Sequence, residues 1–169
     1  MKKGENREMK GNETPFFSGE YRHSLDPQRR IAIPSCWRTG GLDRFYLLPG
    51  RFKSLQLMPF DSFRSLLEKA AKISFADANA SLALARLGSM AQECVCDKQG
   101  RIPMPQSLID HAGLKDQAVL VGALTTIQIW LPENWMKHKT SPDEILDTIQ
   151  KIQEAPDDLA SVIRKLHKE

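Results

Sequence analysis

Apolar and polar residues alternate along Glu20-Tyr21-Arg22-His23-Ser24-Leu25 and again along Gln92-Glu93-Cys94-Val95-Cys96. Alternation of this kind predicts half-buried strands. Each run leads into a turn, 26–29 or 97–100, and then a second strand, 30–33 or 101–104. Proline follows both strands and opens a short helix, 35–38 or 106–112. Gly113 supplies a stop for the later one. Two further strands follow in each half, 45–48 and 54–58, then 118–124 and 126–131. A helix closes each half, starting near Asp61 and near Glu133.

The first closing helix is expected over 61–73, with Asp61 and Ser62 as cap chemistry. Phe63, Leu66, Leu67 and Ala70 fall on one stripe at helical spacing, which reads as core. A linking helix over 77–87 carries Ala80, Leu84 and Leu87 on one side. Near the C-terminus, Ser-Pro-Asp-Glu opens a helix over 141–153, Pro156 breaks it, and one more helix is expected over 157–166.

These two halves are copies. Leu25-Asp26-Pro27-Gln28-Arg29-Arg30-Ile31-Ala32-Ile33-Pro34 recurs as Cys96-Asp97-Lys98-Gln99-Gly100-Arg101-Ile102-Pro103-Met104-Pro105, offset by 71 residues, with Asp, Gln, Arg, Ile and Pro in register. Leu55-Gln56-Leu57 answers Ile127-Gln128-Ile129 at an offset of 72. The turns differ in one telling place. Gly100 suits a backbone position with positive φ, whereas the first copy has Arg29 there, behind Pro27. A non-glycine residue in that conformation costs on the order of 1 kcal/mol.

Composition narrows the picture. The chain has 169 residues, 41% hydrophobic and 27% charged, a normal globular balance. Runs such as Val119-Leu120-Val121 are too short to cross a bilayer, and 1–15 is polar, with no apolar segment of a secretory leader. Three cysteines fit a reducing compartment. The net charge of +3 says little as a total, but its distribution is uneven. Between Tyr21 and Lys53 stand Arg22, Arg29, Arg30, Arg38, Arg44, Arg51 and Lys53 against Asp26 and Asp43, a local +5. Arginine suits bidentate contact with phosphate or guanine; the alternative is a solvated, salt-bridged surface.

Catalytic and metal chemistry find little footing. Cys94 and Cys96 offer two thiols on one strand, but neither Cys36 nor the histidines supply a second ligand pair at zinc-finger spacing. No activating partner for a cysteine nucleophile is apparent. Gly40-Gly41 stands alone rather than in a phosphate-cradling or dinucleotide fingerprint. No metal, cofactor or catalytic residue is therefore assigned.

The doubled Asp-x-x-x-Arg turn followed by an Ile and a Pro resembles the MraZ family of bacterial proteins. The likeness runs in order through Phe17-Ser18-Gly19-Glu20-Tyr21, Leu25 to Pro34, Trp37-Arg38, Glu93 to Pro105, His111-Ala112-Gly113-Leu114, Val119-Leu120-Val121-Gly122 and Ile127-Gln128-Ile129-Trp130. The resemblance implies an α+β fold, mainly β: tandem ββαββ repeats forming an AbrB-like swapped-hairpin, double-psi-type barrel with peripheral helices. The divisions expected are a polar tail (1–15), a first repeat with linking helices (16–87), a second repeat (88–138) and a helical extension (139–169). It further implies a transcriptional regulator of the division and cell-wall gene cluster, in the cytoplasm on the nucleoid. Its expected partners are double-stranded promoter DNA with short G-rich direct repeats and further copies of itself in a closed ring. An oligomeric scaffold or antitoxin-like partner of the same fold is the alternative. The family usually has glycine where this chain has Arg29.

By that resemblance the arginine of the first turn, Arg30, reads DNA. Arg22 and Arg29 are candidates for phosphate contacts, and Arg101 and Lys98 of the second copy for DNA or subunit contacts. Asp26 spans its turn and is expected to accept backbone N–H groups or orient Arg30. Asp97 and Gly100 shape the second turn.

Overall fold

The computed structural model describes residues 15–154. The expected helix over 157–166 and nearly all of the N-terminal tail lie outside them. Two units are distinguished, one up to Asn134 and one from Trp135 onward.

Among the described residues the first unit contains strands β1 (Glu20–Ser24), β2 (Arg30–Ala32), β3 (Arg44–Pro49), β4 (Leu55–Pro59), β5 (Gln92–Val95), β6 (Arg101–Pro103), β7 (Gln117–Gly122) and β8 (Ile127–Trp130). Its helices are α1 (Phe60–Ala70), α2 (Ala78–Met90) and α3 (Gln106–Ala112). A fourth, α4 (Pro132–Met136), spans the division, and α5 (Pro142–Glu154) belongs to the second unit. The fold is therefore mixed α/β and mainly strand.

Six strands form one antiparallel sheet in the order β1-β7-β8-β4-β3-β5, and β2 pairs with β6 as a separate ribbon. Strands from the two halves alternate in their partnerships. β1 of the first half pairs with β7 of the second, and β5 of the second pairs with β3 of the first. In the ribbon Ile31 lies opposite Ile102, and at the sheet centre Gln56 lies opposite Gln128. In both pairs a residue meets its own repeat counterpart. An approximate two-fold axis therefore relates the halves and passes through both pairs.

The core follows from this symmetry. Ile31, Phe45, Leu47, Leu55 and Leu57 from one half pack with Ile102, Ala118, Leu120, Ile127 and Ile129 from the other, all inaccessible to solvent. Each such large aliphatic side chain stabilises the fold by roughly 1.5–3 kcal/mol relative to exposure. Neither half encloses these residues alone. The edge strands β1 and β5 are polar and mostly exposed, with Glu20, Arg22, Gln92 and Glu93 toward water. The half-buried strand expected at 20–25 is thus a largely solvated edge, because it has a neighbour on one side only.

Several local expectations change. The helix at 35–38 is a 3-10 turn, Ser35–Trp37, followed by a second, Thr39–Gly41, in which Gly40 and Gly41 take positive φ (66° and 80°) and prevent a continuous helix. Its counterpart α3 meets no such break until Gly113, whose left-handed φ of 64° closes it. Asp61 and Ser62 do not cap α1. Pro59 holds the cap position without a side-chain bond, and Asp61 sits inside the first turn. The stripe on α1 is core only at Phe63, which stacks on Tyr46 at 4.0 Å. Leu66 and Leu67 are exposed. Leu67 lines an apolar cleft of about 570 Å³ with Tyr46, Phe63, Ile73, Leu84 and Leu87. α2 is capped by Asp77, whose carboxylate accepts the Ala80 N–H at 2.9 Å.

In the second unit, Ser141 and Glu144 form a reciprocal capping box. The Glu144 N–H donates to Ser141 Oγ and the Ser141 N–H donates to Glu144 Oε2, both at 3.3 Å. This fixes the start of α5 one residue after the Ser read from the sequence.

Candidate nucleic-acid interface

Each repeated turn is built by its aspartate. In the first, Asp26 Oδ1 accepts the Gln28 and Arg30 N–H groups, both at 2.9 Å, and the Asp26 carbonyl accepts the Arg29 N–H at 2.8 Å. In the second, Asp97 Oδ1 accepts the Gln99 and Arg101 N–H groups at 2.9 Å, and its carbonyl accepts the Gly100 N–H at 2.9 Å. The remaining carboxylate oxygen holds the arginine that ends the turn. Arg30 Nε donates to Asp26 Oδ2 at 2.8 Å, and Arg101 Nε donates to Asp97 Oδ2 at 2.9 Å.

The ribbon β2–β6 brings the turns side by side, and the pairs cross. Arg30 Nη1 lies 3.4 Å from Asp97 Oδ2, and Arg101 Nη1 lies 3.4 Å from Asp26 Oδ2. Two carboxylates and two guanidiniums form one half-buried, neutral cluster. Asp97 is held at a pKa of about 2, chiefly by the Arg101 backbone N–H, against burial and with help from the Arg101 side chain. For Asp26 burial pushes upward, but the Arg30 amide and guanidinium together pull its pKa below the ordinary value. Both carboxylates are ionised at neutral pH and fully engaged.

Capture at Nε by Asp26 and at Nη1 by Asp97 leaves Nη2 of Arg30 without a carboxylate partner among the described residues and holds the side chain in one orientation. Charge-assisted bonds of this type fix direction as well as position. The cations around the cluster are of another kind. Arg22 on β1, Arg29 and Lys98 are exposed and make no ion pair among the described residues.

Arg29 occupies the left-handed region with φ 57°, and Gly100, its counterpart, has φ 75°. The strain foreseen for a side chain at this position is thus present in the first turn and absent from the second. The sequence reading missed two features. The cross-pairing of Arg30 with Asp97 was implicit in the in-register repeat but needed the facing of β2 and β6. Arg38 entered the charge count but not the site, although its Nε donates to Ile33 O at 3.1 Å and its guanidinium covers Gly100.

The thiols of Cys94 and Cys96 are poor nucleophiles here. Burial pushes Cys94 up to about 12 and Cys96 up to about 11, the nearby Arg38 only partly countering the latter. Among the described residues no group of three or more His, Cys, Asp or Glu is arranged to hold a metal. The apolar cleft on α1 and α2 is lined by no carboxylate, histidine or cysteine. No helix among them is long and apolar enough to cross a membrane.

Comparison with known proteins points one way. The profile of a family described as "MraZ protein, putative antitoxin-like" matches residues 16–86 and 88–150, one match per repeat. A protein of Clostridium acetobutylicum named transcriptional regulator MraZ is 35% identical over 139 residues, covering 82% of this chain and 98% of the relative. One of the same name from Pelotomaculum thermopropionicum is 34% identical, covering 79% and 95%. A third, from Caldicellulosiruptor bescii, is 35% identical, covering 80% and 96%. These relatives are named as regulators, not enzymes.

Proposed function

Because the chain belongs to the MraZ family, we propose that it is a sequence-specific DNA-binding transcription regulator. The names of its relatives support regulation, and one feature of the molecule supports the mechanism: an arginine at the end of a turn whose tip is exposed, held at Nε by Asp26. A two-stranded ribbon can enter the major groove, about 12 Å wide, and the N–H groups an arginine keeps free of its carboxylate partners can donate two hydrogen bonds to guanine O6 and N7. Arg30 fills that role. Arg22, Arg29 and Lys98 contact phosphates, while Arg101 completes the cluster beside them. Asp26 and Asp97 orient the arginines and touch no DNA.

The exchange of strands between the halves supports reading repeats 16–87 and 88–138 as one AbrB-like swapped-hairpin, double-psi-type barrel. Its target is a set of short G-rich direct repeats in the promoter of the division and cell-wall gene cluster, reached in the cytoplasm on the nucleoid. A few phosphate contacts per chain give weak binding at physiological salt. A closed ring of copies on a repeated operator raises effective concentration and overcomes this.

Mobility shift of a duplex with G-rich direct repeats, across a salt series, tests the proposal. Wild type shifts it, and Arg30→Ala does so far less. Equal shifts by both proteins refute the role of Arg30, and sedimentation showing monomer alone refutes the ring. The family description favours one second reading, an antitoxin-like partner. Failure to bind any duplex, with a stable oligomer, would select it.

A further inference from the structure

The two turns obtain a cation beside the same backbone position by different routes. In the first it is Arg29 itself, in the strained left-handed conformation. In the second that position is Gly100, and a Cβ there would overlap the guanidinium of Arg38. Arg38 reaches it from beyond the 3-10 turn, where Trp37 is locked in place. Trp37 is buried, packs edge-on against Tyr21 at 5.0 Å and Phe17 at 6.0 Å, and donates its indole N–H to Ser18 O at 3.1 Å. Arg38 Nε is committed to the Ile33 carbonyl. Its Nη groups have no carboxylate partner among the described residues, unlike those of Arg30 and Arg101. The counterpart of Arg38 in the second repeat is Ile109, a buried core residue. The arginine is therefore no inherited feature of both copies.

We propose that Arg38 is a phosphate-contacting residue of the DNA interface, seated on the second turn by the missing side chain at Gly100. This rests on the DNA-binding reading above and assigns the second turn a contact made by a residue of the first repeat. A guanidinium with a fixed stem and no carboxylate partner suits a phosphate oxygen, since little orientation remains to be lost on binding. Neutralising one phosphate releases about 0.9 counterion on duplex DNA.

The test is fluorescence anisotropy of the full chain with a G-rich repeat duplex and a scrambled duplex, over a salt series. Arg38→Gln should reduce the slope of log K against log salt by about 0.9 per bound chain. It should weaken both duplexes alike and so leave their ratio unchanged. Arg38→Lys, which keeps the charge but loses the Nε bond to Ile33, should retain the wild-type slope. In that variant the bound duplex should slow acetylation of the introduced lysine, a readout that survives if Arg38→Gln does not fold. An unchanged slope in Arg38→Gln, or an introduced lysine left unprotected by a duplex that the variant binds, overturns this inference alone. Wild type that binds neither duplex overturns the DNA reading and the inference together.

Discussion

The two repeated turns share an aspartate, an arginine and a hydrogen-bond pattern, yet they differ at one residue. The first accepts a strained backbone to carry Arg29; the second keeps Gly100 unstrained and borrows a cation from Arg38. Symmetry of the scaffold has been preserved while the surface chemistry diverged. If the proposed reading of directional DNA repeats holds, a pseudo-two-fold molecule needs such a difference, because identical turns would read both directions alike. The shared ribbon is the structural constant and the turn tips are the variable.

Four measurements would break or sharpen this contrast. The largest effect belongs to the constant part. Ile31→Ala and Ile102→Ala each remove a fully buried side chain on the pseudo-axis. Each should destabilise the fold by about 2–5 kcal/mol in chemical denaturation, and by similar amounts. A large disparity would mean that the halves do not share their core equally.

Next comes Arg30→Ala against Arg101→Ala. Loss of a bidentate guanine contact should cost Arg30→Ala about 1–3 kcal/mol of discrimination between G-rich and scrambled duplexes. Arg101→Ala should lose less, and equal losses would erase the functional difference between the turns. A smaller effect, on stability, separates Gly100→Ala from Arg29→Gly. The first places a Cβ at positive φ against Arg38 and should destabilise by about 1 kcal/mol. The second relieves strain but frees the unfolded chain, so thermal melts should show a gain of only a few tenths of a kcal/mol.

The smallest effect appears only in acid. Both turn carboxylates have folded pKa values below their ordinary value near 3.8, Asp97 reaching about 2. The contribution of Asp97 to stability is complete above about pH 4 and is lost as pH falls toward about 2, and that of Asp26 is likewise lost on acidification. Asp97→Asn should flatten that part of the acid-denaturation curve. An unaltered curve would detach the cluster from stability.

Much of this architecture was legible in the chain. The doubled turn, the positive-φ position and the bounds of α3 follow from residue types whose backbone preferences are local. Pairing between halves was not legible from the residues. Alternation reports which face of a strand is apolar, and it says the same whether β1 joins β3 or β7. Resemblance, rather than periodicity, supplied that expectation. The stripe on α1 shows the same limit, because helical spacing locates a face without naming what covers it. Of the site, the turn-spanning place of Asp26 was expected from the residues, and the role given to Arg30 came from the resemblance. The place of Arg38 was legible in neither, since it depends on a glycine in the other repeat.

The exchange of strands also sets a clock. Tyr21 pairs with Leu120, 99 residues further along the chain. At a synthesis rate of about 5–20 residues per second, β1 waits roughly 5–20 s on the ribosome before its partner exists. During that interval the first repeat presents an unpaired β1 and an unclosed apolar core. Its edge strand is polar where it waits, with Glu20, Arg22 and Ser24 along its length. The composition of β1 thus protects a nascent chain as much as it decorates a finished one.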